Sequence, residues 1–578
     1  MNHPTEADIV EFLERHAALL ELDGASAFRV RAYANAARRL AEAEVDAVSM
    51  AARGTLTELD GVGKSVSELV SEFVTSGAAA SHDELLQRVP ATLLDLLRLP
   101  GLGLKKVKAL YEATGIATLE ALEAACRAGT LDAVSGFGRK TQDRILQGIE
   151  LARRFEGHFH VHRAMAAARE VVEALARHPD CREVAVAGRL RRRCEVVEDI
   201  VLVAATDSPG ALVEALAGDG ATAEVIERGE TGIDLRLEAG PRLTLHAVPP
   251  AHFPAALARH TGSRQHWTNL TERARAAGLR LDERGLRRVG EDASEPRPCA
   301  DEAELYRALG LAPIPPELRE GNDEVEVASG GRLPELVTAE DVRGILHAHS
   351  TYSDGRDRLA DLAQAVRDRG YRYLGISDHS KTAAYASGLR EDAVERQHEE
   401  IDALNERFGD EFHILKGIES DILGDGSLDY DDAFLGRFDF VIASIHSPMN
   451  MPADRMTARV VRALEHPATT ILGHPSGRLL LTREEYPMDM DRILETAAAH
   501  GVAVEISAHP HRLDLDWRRV RQARDLGVVF SVNPDAHRIA DLDYLEWGIG
   551  VARKGWLGSA DVITCLDAGP LRAFFARS

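Results

Sequence analysis

The chain has 578 residues, 28% of them charged and 45% hydrophobic. That composition excludes disorder, collagen-like repeats and a coiled-coil rod, and the length asks for about three to five domains. The net charge of −24 excludes a protein coated in nucleic acid but leaves room for local DNA-binding grooves. No apolar stretch approaches the roughly 20 residues that cross a bilayer, and Met1-Asn-His-Pro-Thr-Glu-Ala-Asp8 is not a charged-then-apolar leader. No membrane partner is expected, and the cytoplasm is the expected compartment. The cysteines, Cys126, Cys181, Cys194, Cys299 and Cys565, contain no Cys-x-x-Cys pair, which argues against a disulfide framework or a thiolate zinc site.

Residues 1–155 are rich in Ala and Leu at helical spacing and predict an all-α region. Within it Gly61-Val-Gly63-Lys64, Gly101-Leu-Gly103-Leu-Lys105 and Gly136-Phe-Gly138-Arg139 repeat one pattern, a Gly-apolar-Gly turn between helical segments. Over 156–245 a helix is followed by short apolar runs, Glu183–Ala187, Ile200–Val203 and Ile233–Leu237, which predict an α+β sheet domain. Residues 246–320 read as polar helices stopped at Pro315-Pro316. Residues 321–335, rich in glycine and acid, read as a linker. From 336 to 578, short apolar runs at 373–376, 440–443, 470–472, 502–506 and 528–532 alternate with amphipathic helical segments, the pattern of an α/β barrel-like domain.

Polar groups sit just after those runs: His347, His349, Asp354, His379, Glu419, His446, His474, Asp535 and His537. In a βα barrel the strand C-termini converge on one face, so residues this far apart in sequence can meet. Imidazole with carboxylate and no thiolate suits Zn²⁺, Mn²⁺ or Fe, and so many donors suit a cluster rather than one ion. Such a cluster supports phosphoester hydrolysis by activated water. A single histidine is more simply a satisfied core or surface group; it is the set that points to metal.

His347-Ala-His349 with Asp354, Ser377-Asp-His379, Gly417-Ile-Glu419, Ser444-Ile-His446, Gly473-His474-Pro and Asp535-Ala-His537 resemble the motif set of the polymerase and histidinol phosphatase (PHP) domain. The resemblance implies a distorted (β/α)7 barrel with two or three divalent ions: His347, His349, Glu419 and Asp535 around one; Glu419, His446 and His474 around a second; Asp354, His379 and His537 around a third. Arg478 and Arg512, with Lys381, are its candidates for holding substrate phosphate, because guanidinium matches phosphate bidentately. The Gly-apolar-Gly turns resemble helix-hairpin-helix elements, whose backbone N–H groups meet DNA phosphates without reading sequence. That makes Gly61, Gly63, Lys64, Gly101, Gly103, Lys105, Gly136, Gly138 and Arg139 candidate DNA-binding residues. Leu69 stands where related eukaryotic enzymes carry a Schiff-base lysine, so no lyase chemistry is expected.

Gly188-Arg189 through Asp199-Ile-Val201, with Asp234 in Ile233-Asp-Leu-Arg236, resembles the palm of family X DNA polymerases, and Thr261-Gly262-Ser263 resembles their thumb. The whole chain then resembles a bacterial family X polymerase joined to a PHP nuclease: helix-hairpin-helix domains at 1–85 and 86–155, palm at 156–245, thumb at 246–320, linker at 321–335, PHP barrel at 336–578. The resemblance implies Asp199 and Asp234 as palm catalytic carboxylates, Gly188, Arg192, Gly262 and Ser263 as nucleotide contacts, Mg²⁺ and dNTP as palm ligands, and gapped, nicked or 3′-recessed DNA as partner of a monomer. The departures carry more information. The family's second aspartate, two residues after Asp199, is Val201, and valine offers no oxygen to a metal. Losing a bridging ligand removes several kcal/mol of charge stabilisation, at about tenfold in rate per 1.36 kcal/mol. The family's Gly-Ser pair is Gly188-Arg189, and Pro254 and Trp267 replace a thumb glycine and asparagine. The expectation is a 3′-end hydrolase whose polymerase is crippled. Its rivals are a working gap-filling polymerase with a proofreading partner domain and a non-catalytic DNA-end scaffold.

Overall fold

The computed structural model describes residues 6–42, 45–97, 99, 101–220, 222–290 and 296–576; Pro100, within the second glycine turn, lies outside them. The chain divides into two compact units, one formed by residues up to Glu156 and the other by most of the rest.

The first unit is all helical. Ile9, Leu13 and Leu20 recur at helical spacing in Glu6–Leu22 and are buried, and they share one core with Leu69, Leu110, Phe137 and Ile149. The segments on either side of residue 85 therefore build a single core rather than two. All three glycine turns are formed the same way. The first glycine is left-handed (φ +88, +82 and +87° at Gly61, Gly101 and Gly136), a conformation that L side chains resist. The apolar residue between, Val62, Leu102 or Phe137, anchors in the core. The second glycine precedes a helix: Lys64–Ser76, Leu104–Thr114 or Arg139–Arg154.

In the second unit, β1 (Phe159–His160) pairs antiparallel with β3 (Val196–Val197). The palm sheet comprises β2 (Glu183–Val186), β4 (Asp199–Ala205), β5 (Thr222–Arg228), β6 (Gly232–Leu237) and β7 (Arg242–Val248). Its order is β2-β4-β7-β6-β5, with β4 and β7 parallel. Helices Val161–Ala176 and Pro209–Ala217 bury Ala164, Ala168, Val171, Leu212, Val213 and Leu216 in the core that this sheet shares. Because β7 runs to Val248, the palm extends past the expected boundary at 245.

The thumb carries a hairpin, β8 (Leu279–Asp282) and β9 (Gly285–Arg288), over a core of Leu270, Leu305, Tyr306 and Leu318. Residues 321–335 are not a free linker. They include helix Glu324–Ser329, whose Ala328 joins the thumb core together with Leu336 and the barrel's Trp556. The fully buried Glu324 accepts from Gly321 N at 2.9 Å and pairs with His266 Nδ1 at 2.6 Å. Gly321 serves close approach, not flexibility: a Cβ there would lie 2.4 Å from Gln265 Cβ.

The barrel strands are β10 (Gly344–Ile345), β11 (Tyr373–Ile376), β12 (His413–Asp421), β13 (Phe440–Ser444), β14 (Ile471–Leu472), β15 (Ala503–Ser507) and β16 (Phe530–Asn533). They form one parallel sheet in chain order, and a parallel bridge between Ala348 and Ala536 brings the last strand beside the first. Strands of a barrel covered by helices are buried on both faces, which is why β11, β13, β15 and β16 are buried throughout. Palm and barrel are continuous. Buried Lys554 donates to Arg192 O at 3.1 Å and pairs with Glu320, which Arg192 Nε also contacts at 2.8 Å. Arg193 meets Glu546 at 2.9 Å, and Arg553 meets Glu317 at 2.7 Å. The cysteines are all free.

Candidate metal centre

Each strand of the barrel except β15 ends in, or runs directly into, a donor: His347 and His349 after β10, His379 after β11, Glu419 within β12, His446 after β13, His474 after β14, Asp535 and His537 after β16. Asp354 comes from the loop after β10. Glu419 sits among the histidines. Its Oε1 lies 2.9 Å from His474 Nε2, 3.4 Å from His446 Nε2 and 3.5 Å from His347 Nε2, and its Oε2 lies 2.9 Å from His379 Nδ1. Asp535 Oδ1 is 3.3 Å from His349 Nε2 and 3.5 Å from His347 Nε2. Asp354 Oδ1 is 3.5 Å from His537 Nε2 and 3.6 Å from His379 Nε2.

Three groups have donor atoms within 4.8 Å of one another: His347, His349 and Asp535; His379, Glu419 and His446; and His349, Asp354, His379 and His537. They differ from the sets that the resemblance implies: Glu419 groups with His379 and His446 rather than with His347, His349 and Asp535, His474 falls in none of the three, and His349 and His379 each fall in two. The chemistry of the donors fits cations. His347 Nε2, both nitrogens of His349, His379 Nδ1, His474 Nδ1 and Glu419 Oε2 are buried without a hydrogen-bond partner. Buried polar atoms normally have one, and a cation aimed at by imidazole and carboxylate lone pairs supplies it.

Electrostatics describes the same centre. Burial opposes the charged form of His446, but Glu419 and Asp421 outweigh it and push the imidazole up to about 10. His537 rises to about 9 against its burial, through Asp354 and Asp535. His349, where burial and the neighbouring His379 dominate, falls to about 3. Glu419 is held well below the carboxylate range, its burial being outweighed by His446, His379 and His347.

Two orienting carboxylates escaped the sequence reading. Glu505 accepts from His474 N at 2.7 Å and contacts His347 Nδ1 at 2.7 Å, which aims His347 Nε2 at the centre. Asp421 does the same for His446 through Nδ1. Such partners fix ring orientation and tautomer. Glu505 did leave a signal: a lone charge inside the apolar run Val502–Ile506 requires a buried partner.

The phosphate-holding candidates separate. Arg512 Nε lies 3.9 Å from Asp535 Oδ2, at the centre. Arg478 does not face it. Its buried guanidinium is filled by Asp516, Glu195 and the carbonyls of Arg512 and Leu513, so the expected role for Arg478 is withdrawn. Lys381 pairs with Glu391 at 2.8 Å and lies over the Tyr430 ring.

The palm is corrected more deeply. Asp234 is on β6, and β7 separates it from Asp199 on β4, so the two carboxylates are not on adjacent strands. The β7 residues in register with Asp199 and Val201 are Arg242 and Thr244. Both grip Asp234: Arg242 Nε donates at 2.8 Å and Thr244 Oγ1 at 3.0 Å, and Arg242 adds a second contact. The hydrogen bond from Arg242 holds Asp234 below its ordinary pKa, whereas burial raises Asp199. Arg242 thus neutralises Asp234 within the sheet. Arg192 is committed to Glu320 and Thr261 O. Ser263 caps the helix Arg264–Ala276, and a Cβ at Gly262 would lie 2.6 Å from His266 Cδ2. Gly188 packs on Val201, with a would-be Cβ at 3.2 Å.

In the helical unit, a Cβ at Gly63, Gly103 or Gly138 would meet nothing within 4 Å, so the space before each following helix is open, and Lys64, Lys105 and Arg139 beside it are exposed. Leu69 is buried.

Fold and centre together define a multidomain enzyme with DNA-binding helical turns and a metal-dependent phosphoesterase barrel. Comparison with known proteins agrees. A helix-hairpin-helix domain family matches residues 4–79, a SAM-like helix-hairpin-helix tandem 93–150, the DNA polymerase beta thumb 256–320 and the PHP domain 346–509. The chain is 36% identical over 573 residues to the DNA polymerase/3′-5′ exonuclease PolX of Bacillus subtilis (strain 168), covering 99% of both proteins. It belongs to that family, the bacterial family X DNA polymerases with a C-terminal PHP domain. Over the barrel region it is also similar to shorter proteins named "probable phosphatase": one from Thermoanaerobacter sp. (strain X514), 25% identical over 238 residues (39% of this chain, 89% of that one), and one from Edwardsiella ictaluri (strain 93-146), 31% identical over 205 residues (34% and 76%). No described helix is long and apolar enough to cross a membrane.

Proposed function

We propose that the barrel hydrolyses the 3′-terminal phosphodiesters of DNA, or 3′-end lesions, and that the palm has lost nucleotidyl transfer and serves as a body for gripping DNA. The observation that carries this reading is the contrast in donors: the barrel gathers imidazole and carboxylate atoms left without hydrogen bonds around Glu419, while the palm seats Arg242 between Asp199 and Asp234. His347, His349 and Asp535 would hold one ion; His446 and His474 with Glu419 a second; Asp354, His379 and His537 a third; Zn²⁺, Mn²⁺ and Fe all suit these donors. Such ions supply a nucleophilic water at neutral pH and offset charge on the phosphoryl group. Arg512 adds a fixed cation beside Asp535 for the substrate phosphate. Glu505 and Asp421 keep His347 and His446 in the tautomer that presents Nε2.

The open glycine turns with Lys64, Lys105 and Arg139 support backbone-directed, sequence-independent contact with gapped, nicked or 3′-recessed DNA. The working form is then a cytoplasmic monomer in DNA repair. The test is a labelled primer on chelator-stripped protein reloaded with Mn²⁺ or Zn²⁺, with and without dNTPs. The expected result is metal-dependent 3′ shortening and no extension. Extension beyond the template-free level would refute the palm reading, and intact primer with every metal would refute the barrel reading.

A further inference from the structure

Large apolar side chains exposed to solvent are few among the described residues: Phe28, Val225, Ile226, Val289, Tyr385 and Leu526. One of them stands at the metal centre. Tyr385 is 69% exposed, and its ring centroid lies 6.1 Å from those of both His379 and His446. It occupies the short turn Ala384–Ala386 in the loop that follows His379, and that loop is firmly tied. Ala383 and Ala386 are buried on either side. Ala383 N donates to Ser380 O at 3.1 Å, Gly388 N to Ala383 O at 3.0 Å and Leu389 N to His379 O at 2.8 Å, while Thr382 N reaches Asp429 at 2.7 Å. A fixed backbone therefore presents an aromatic face to water beside the cation donors. Glu419, Asp421 and Asp354 surround the phenol with negative charge and favour its neutral form, so the ring brings no negative charge to a phosphate.

Resting on the 3′-hydrolase reading above, we infer that Tyr385 is a stacking platform for the base of the terminal nucleotide, so that the centre selects an ester carrying a nucleobase over a bare phosphate ester. The chemistry matches on three counts. A base hangs one sugar away from its phosphate, and the ring stands one side chain away from the donors. Every base offers a π face, so stacking tolerates any sequence, as end trimming requires. A ring on a fixed backbone with few rotatable bonds loses little conformational freedom when a base settles on it.

The experiment compares two single-stranded oligonucleotides that differ only in the 3′-terminal residue, thymidine or an abasic tetrahydrofuran, with the Mn²⁺-loaded full chain. Wild type is expected to favour the thymidine end by about ten- to hundredfold in kcat/KM, the rate equivalent of one stacked base, chiefly through KM. Tyr385→Ala is expected to bring the ratio to about one without lowering metal content, and Tyr385→Phe to keep it. A preserved ratio in Tyr385→Ala overturns the inference, as does its loss in Tyr385→Phe, which would assign the effect to the hydroxyl. A wild-type enzyme that cuts both ends equally also overturns it; one that cuts neither refutes the underlying 3′-hydrolase reading instead.

Discussion

The barrel and the palm both build carboxylates into the strands and strand ends of a sheet, yet they neutralise them in opposite ways. In the barrel, Glu419, Asp354 and Asp535 face histidines, several of whose nitrogens have no other partner. In the palm, Asp234 faces the guanidinium and hydroxyl of Arg242 and Thr244, and Val201 lies two residues after Asp199. A site that keeps its charge unsatisfied is built for a ligand; one that satisfies it internally is built for itself. The proposed loss of nucleotidyl transfer rests on this difference between the two halves of one chain.

The largest effect belongs to the barrel. Glu419→Gln and His347→Ala are expected to lower 3′-end hydrolysis by at least about a thousandfold, since each withdraws a donor from the hub that activates the nucleophile; residual activity near wild type on a labelled primer would erase the contrast. Next comes the junction. Lys554→Met leaves Glu320 with Arg192 as its remaining cation and is expected to destabilise the second unit by roughly 2–3 kcal/mol, read as a lower denaturant midpoint, while the metal donors stay intact.

Smaller still is a pH effect confined to the barrel. Without metal, His446 and His537 carry protons up to about 10 and about 9, and bound cations require those imidazoles neutral. Metal uptake at pH 7 must therefore release protons and weaken as pH falls, by about tenfold per pH unit for each proton displaced. Calorimetry in buffers of different ionisation enthalpy measures this, and uptake without proton release would contradict the assignment. The smallest effect is at the palm: Asp234→Asn loosens a partly exposed pair, is expected to cost within about 1 kcal/mol, and leaves primer hydrolysis unchanged. A loss of nuclease activity there would couple two centres that the comparison keeps apart.

The sequence made the barrel legible because each donor follows an apolar strand, and strand ends of a βα barrel share one face. The palm was less so. Ile233-Asp234-Leu-Arg236 looks like a catalytic strand, but only the sheet order reveals that β7 lies between it and β4; a parallel neighbour reached through a hairpin leaves no local pattern. Arg478 reads the same in sequence whether it faces a substrate or Asp516. The glycine and acid of 321–335 have linker composition although Gly321 and Glu324 are there for tight packing on His266 and its neighbour. Val201, by contrast, was informative from sequence alone, since no packing can give valine a ligand atom.

Lys554 has a further consequence. Its ammonium, inside the barrel's last long helix, is neutralised by the thumb's Glu320 and touches the palm backbone at Arg192. Cut away from the preceding domains, the barrel would expose a lone cation and the apolar surface around Trp556. The barrel is therefore no detachable module: a truncation that begins at residue 336 is expected to be less stable than the same barrel in the full chain.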